Sequence, residues 1–68
     1  MASNIYDIAF KNDTIYVTIP YDEDAKEALK EKFRARWDPE ARHWKINGDD
    51  YSMDTVRKEL KLHFPKEF

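Results

Sequence analysis

The chain has no cysteine among its 68 residues, which excludes a disulfide framework and any thiolate-held metal. An intracellular location is the expectation that follows. His43 and His63 are the only histidines, too few and too far apart to form a metal motif by themselves. There is one glycine, so no Gly-rich phosphate loop exists, and no Ser/Pro/Gln-rich tract suggests disorder. No apolar run approaches the roughly 18–20 residues of a membrane span, and no signal-peptide pattern opens the chain. No nucleophile stands beside a base, and the carboxylates cluster at helix starts and turns, where capping accounts for them. Neither an enzyme nor a cofactor or metal is expected.

What the chain has is rings and an uneven charge. Four Tyr, four Phe and two Trp are a heavy aromatic load for one domain of residues 1–68. Each ring, once buried, removes roughly 150–250 Å² from water, which is how so short a chain can stabilise itself without a staple. The net charge is −2, but it is not evenly spread. Residues 1–25 hold five acids against one lysine, a net −4. Residues 26–45 hold seven basic groups against four acids, a net +3, and residues 46–68 return to −1.

Periodicity organises the chain into two similar halves. Asn4 to Phe10 alternates, with Tyr6, Ile8 and Phe10 on one side, and Lys11-Asn12-Asp13 is a polar turn. Thr14 to Ile19 alternates again, with Ile15, Val17 and Ile19 inward and Thr14, Tyr16 and Thr18 outward. Pro20 ends this first hairpin. Asp22 is placed to cap a helix over about residues 23–34, with Ala25, Ala28, Leu29 and Phe33 on its apolar stripe. Glu23–Lys26, Glu27–Lys30 and Glu31–Arg34 are opposite-sign pairs on its flanks. Asp50 or Ser52 can cap a second helix over about residues 51–63, with Met53, Val56, Leu60 and Phe64 inward and Pro65 as its stop. The expected fold is α+β in the order ββαββα, a four-stranded antiparallel sheet with both helices on one face.

Between the helices lies Arg36-Trp37-Asp38-Pro39-Glu40-Ala41-Arg42-His43-Trp44-Lys45-Ile46, read as a tight hairpin with a tryptophan on each arm. Pro39 presets φ for a turn, and Asp38 can accept from the turn's backbone. A two- or four-residue loop places Trp37 opposite Arg42, with Ala35, Trp37, Arg42, Trp44 and Ile46 on one face. Arg36, His43 and Lys45 then share the other. A three-residue loop would put the two indoles on opposite faces. The first register is preferred because it gathers the apolar groups, leaving one face as core and the other as a small basic surface.

Trp44 is assigned to the core, and Trp37, at a strand end, is a candidate for stacking on a nucleobase. Arg34, Arg36 and Lys45, with His43 among them, lack an obvious structural partner, and Lys30 and Lys32 on the helix can extend their patch. Arg42 either lies over an indole or pairs with Asp38, and joins the candidate set. Such cations suit phosphate contacts, which position a strand or duplex without reading its sequence.

Tyr21, the helix after it, the run Arg36-Trp37-Asp38-Pro39-Glu40-Ala41-Arg42-His43-Trp44, and Tyr51 before the last helix together resemble the HARP domain of annealing helicases. In that family an I-P-Y strand end leads through a helix to an aromatic-Asp-Pro-x-x-Arg-x-Trp hairpin and a further Tyr; here Ile19-Pro20-Tyr21 stands at the strand end. The hairpin is also similar to a module appended to plasmid primases. The likeness covers roughly residues 15–62, with Lys32-Phe33-Arg34 where the family often has small or turn-forming residues. It implies a small accessory module that contacts single-stranded or forked DNA or a DNA-processing protein. The expectation is a non-catalytic, monomeric nucleic-acid-binding module acting through Lys32, Arg34, Arg36, Arg42, His43 and Lys45. The rival is a protein-interaction module, such as a small inhibitor or regulator from a mobile element, acting through the acidic segment and the open sheet face.

Overall fold

The computed structural model describes residues 6–68, so Asn4 and Ile5 of the expected first strand lie outside the described residues. The elements are β1 (Asp7–Lys11), β2 (Thr14–Thr18), α1 (Glu23–Phe33), β3 (Arg36–Asp38), β4 (His43–Asn47) and α2 (Met53–His63). The strands form one four-stranded sheet in the order β1-β2-β4-β3, antiparallel throughout. The two halves therefore meet through β2 and β4, paired from Thr14↔Asn47 to Val17↔Trp44. No helix is long and apolar enough to cross a membrane among the described residues.

Alternation sorts the sheet into two faces. Ile15, Val17 and Ile46 point to one side and are fully buried, together with Leu29 of α1 and Val56 and Leu60 of α2. Both helices thus cover the same face. Partly buried Ile19, Tyr51, Met53 and Phe68 pack around this cluster. Tyr6 closes the β1 end, its ring 5.2 Å from Phe64 and 6.1 Å from Phe68, both edge-on. Trp44 is 9 % exposed and belongs to the core.

Local chemistry sets the element ends. β1 and β2 are joined by Asn12 and Asp13 alone, at φ 53° and 59°, a two-residue turn whose twist matches the strands. Lys11 pairs with Thr14, so the expected turn is one residue shorter. Asp22 caps α1 by accepting from Ala25 N–H at 2.9 Å. The helix ends one residue earlier than its spacing suggests, because Arg34 turns into the left-handed region at φ 53° and Ala35 N–H bonds Leu29 C=O at 3.0 Å. Ser52, not Asp50, caps α2, accepting from Thr55 N–H at 3.2 Å.

Gly48 is required by a close approach. Its N–H donates to Asp13 C=O at 2.9 Å, and a Cβ there would stand 2.5 Å from Phe10 Cε2 and 2.7 Å from that carbonyl oxygen. The turn after β4 thereby rests directly on the turn of the first hairpin.

The tryptophan hairpin keeps the expected faces but not the expected pairing. Trp37 lies opposite Trp44, not Arg42, and the loop is Pro39 to Arg42. This two-residue displacement leaves the paired side chains on their expected sides, because side chains alternate with period two, but moves Arg42, expected on the tryptophan face, into the loop. It brings the two indoles to 5.2 Å, a contact the other register forgoes. Asp38 Oδ1 holds the loop by accepting from Glu40 N–H at 3.1 Å and Ala41 N–H at 3.2 Å. Arg42 leaves the strand at φ 58°, its N–H on Asp38 C=O at 2.7 Å. It lies over neither indole and pairs with no carboxylate among the described residues.

Candidate nucleic-acid interface

The uncovered face of the sheet carries a row that crosses all four strands: Ala9, Tyr16, Lys45 and Arg36. Arg36 and Lys45 are directly opposite each other, and like charges so placed repel. Asp38 relieves Lys45, its Oδ2 3.2 Å from the Lys45 ammonium. The Ala41 N–H first, and then the Lys45 ammonium, hold the Asp38 carboxyl below its ordinary value. Arg36 has no carboxylate partner among the described residues. His43 is half-buried beside Tyr16, ring centroids 4.8 Å apart and edge-on. Its Nε2 has no hydrogen-bond partner among the described residues and lies 3.9 Å from Asp38 Oδ2.

At the end of the sheet these cations border a shallow cleft of about 590 Å³. Arg34, Arg36 and Lys45 line it together, as the sequence spacing suggests. Asp13, Asp49 and Asp50 also line it. Those acids come from the two turns that Gly48 holds together, and sequence reasoning missed them because they are distant in the chain from the hairpin. They weaken the positive field of the cleft on the side of the two turns.

Three of the expected residues do not line the cleft: His43, which sits against Tyr16, and Lys32 and Arg42. Lys32 sits on the helix layer, both Glu59 carboxylate oxygens 3.0 Å from its ammonium. Glu59 also meets His63 Nε2 at 3.3 Å, so Lys32 serves the α1–α2 junction. Arg42 occupies the hairpin loop and does not line the cleft. Of the helix-flank pairs, Glu23–Lys26 forms at 3.2 Å, while Glu27–Lys30 and Glu31–Arg34 do not close. Arg34 cannot close its pair in helical geometry because its own backbone has left the helix.

Trp37 belongs to the other side of the same edge strand. It is 47 % exposed and borders an apolar hollow of about 420 Å³ with Ile19, Pro20, Tyr21, Asp22, Lys26 and Trp44. Tyr21 is 77 % exposed yet held, its hydroxyl donating to Glu23 and its ring 5.6 Å from the Lys26 ammonium. The hydrogen bond to Glu23 raises the Tyr21 pKa and lowers that of Glu23. The one sequence signal for this hollow is the Ile19-Pro20-Tyr21 strand end. No group of three or more His, Cys, Asp or Glu side chains is arranged to hold a metal among the described residues. No family model matches the chain, and no curated protein or solved structure is detectably similar to it.

Proposed function

We propose that the protein is a small non-catalytic module that contacts nucleic acid through the open face of the β3–β4 hairpin. The observation that carries this reading is the row Tyr16, Lys45, Arg36, an aromatic ring followed by two opposed cations on an uncovered antiparallel sheet. Arg36 faces Lys45 with no carboxylate of its own among the described residues, Asp38 serving Lys45, and a phosphate beside the two cations supplies the missing counter-charge. A ring beside such cations offers a sequence-tolerant stacking surface, the combination used by proteins that track single strands. The likeness of the hairpin to HARP domains supports the same reading and adds single-stranded or forked DNA, or a DNA-processing partner, as the setting.

The contact is weak and electrostatic. Arg34, Arg36 and Lys45 give about three phosphate contacts, hence a log–log salt slope of roughly −2 to −3 and a dissociation constant of about 10⁻⁴–10⁻⁶ M at physiological salt. Fluorescence anisotropy with single-stranded, duplex and forked DNA at low salt measures both. Reversing Arg36 and Lys45 to Glu abolishes binding and flattens the slope, with a modest fall in melting temperature because the exposed Lys45–Asp38 pair is lost. Failure of the unaltered protein to bind any of the three DNA forms at low salt would discard this reading in favour of a protein-interaction module.

A further inference from the structure

We infer that the hollow beneath Trp37 seats an unpaired nucleobase from a strand that wraps the free edge of β3. This rests on the open-face reading and extends it to a second site on the opposite side of the sheet. Arg36 and Trp37 are consecutive in β3, so their side chains leave the strand on opposite faces. β3 is an outer strand of only three residues, and among the described residues no other element pairs with its far side. A flexible strand held at Arg36 therefore has a short, open path to Trp37.

The chemistry of the hollow selects which part of a nucleotide can enter. Its walls are Ile19, Pro20 and the rings of Tyr21, Trp37 and Trp44, and its size falls within the roughly 300–1,000 Å³ of small-molecule sites. Asp22 lines the rim, and its carboxylate is engaged in capping α1 and cannot move away. Lys26, the one cation there, is already paired with Glu23 at 3.2 Å. A phosphate finds no free positive group in the hollow and is repelled from its rim; a flat, uncharged base is not. Tyr21 is exposed but fixed by Glu23 and Lys26, so stacking on it costs little side-chain entropy. Trp37 leans on Trp44 at a 58° tilt, which leaves the rest of its ring toward the hollow.

The test compares an oligothymidylate with an abasic strand of equal length, using anisotropy and indole emission. The base-bearing strand is expected to bind roughly tenfold tighter, within the range set by one stacked base, and to quench tryptophan emission. Trp37→Leu and Tyr21→Ala should each bring its affinity down toward that of the abasic strand and leave the abasic strand unaffected. Two variants are used because Tyr21 is 77 % exposed and lies outside the buried core cluster, so its loss cannot be blamed on unfolding. Equal binding of both strands would overturn the inference. So would a base preference insensitive to both variants, which would assign the stacking to Tyr16 instead. The ratio of the two strands tests the hollow, whereas Arg36→Glu with Lys45→Glu tests the open face by weakening both strands alike. Retained binding of both strands in that double variant would defeat the open-face reading while leaving the ratio readable.

Discussion

The two hairpins of this protein have the same place in their respective halves and are built for different work. The first, β1–β2, has five paired positions and the shortest standard turn, closed by Asn12 and Asp13. Its β2 side chains Ile15 and Val17 are fully buried. The second, β3–β4, has three paired positions, a four-residue loop and an outer strand whose Trp37 is half exposed. It also carries the unfavourable features. Arg36 faces Lys45, and the backbones of Arg34 and Arg42 on either side adopt left-handed values for which glycine is the default. Burial is concentrated in the first hairpin and the β2–β4 seam; Asn12 and Asp13 of the first hairpin also take left-handed values, but Asn and Asp adopt them at lower cost than the two arginines beside the second. Proteins retain such local conflicts where a ligand resolves them.

The comparison breaks most severely if its seam is removed. Trp44 is buried in the core cluster to which both helices contribute, so Trp44→Ala should cost about 3–5 kcal/mol, the usual range for a buried aromatic. Total stability for a domain of this size is commonly about 5 kcal/mol, so urea or thermal unfolding should find the variant close to unfolded. An unchanged melting temperature would place Trp44 at the surface and remove the seam from the account.

Gly48 sharpens the same point where the two hairpins touch. The added methyl of Gly48→Ala meets the Asp13 carbonyl, which is backbone and fixed by the turn. A loss of about 1–3 kcal/mol is expected, the cost of overpacking. A neutral result would mean the turns separate easily and that Asp49 and Asp50 need not border the cleft.

A smaller effect distinguishes the ion cluster of the helix layer from that of the hairpin. Burial pushes the Glu59 carboxyl up, but hydrogen bonds from Lys32 and His63 and their charges outweigh it, so its pKa lies below the ordinary 4.5. The cluster therefore adds stability that is fully present above about pH 4.5 and is lost as pH falls through the lower, folded-state value. Glu59→Gln should remove this part of the acid dependence, at a cost of less than about 1 kcal/mol at neutral pH. It should leave nucleic-acid binding unaltered, because Lys32 faces away from the hairpin. Weakened binding in the variant would return Lys32 to the interface.

The smallest stability effect has the opposite sign. Arg34→Gly places the preferred residue at the left-handed end of α1 and should stabilise by up to about 1 kcal/mol, since the left-handed conformation costs a side-chain-bearing residue about that much. The same change removes one phosphate contact, so the salt slope should become shallower by roughly one unit. Gain in stability with loss of binding is the signature of strain kept for function. Loss of both would make Arg34 an ordinary structural residue.

The fold was legible because its elements depend on local rules. Ile15, Val17 and Ile46 announce their faces by alternation, Asp22 announces the first helix start by chemistry that acts over three residues, and the second start is narrowed to Asp50 or Ser52. The faces of the tryptophan hairpin were legible too, but not its pairing, because a slip of two residues preserves the face of every side chain that stays paired. What could not be read depends on distance along the chain. Lys32 finds Glu59 only after both helices are laid on the sheet, and the carboxylates of Asp13 and Asp49 reach the cleft only because Gly48 joins two turns. The hollow beside Trp37 combines a strand end, a helix start and an edge strand, and no periodicity in any one of them shows it.

The central claim is that one face of one hairpin meets nucleic acid, and backbone-amide NMR read during titration with a short single strand tests it most directly. The account predicts shifts at Tyr16, Arg36, His43 and Lys45 that grow with strand concentration and collapse when salt is added. Lys58 and Lys61, exposed on α2, should stay still. Shifts spread evenly over both layers, or centred on α2, would contradict it.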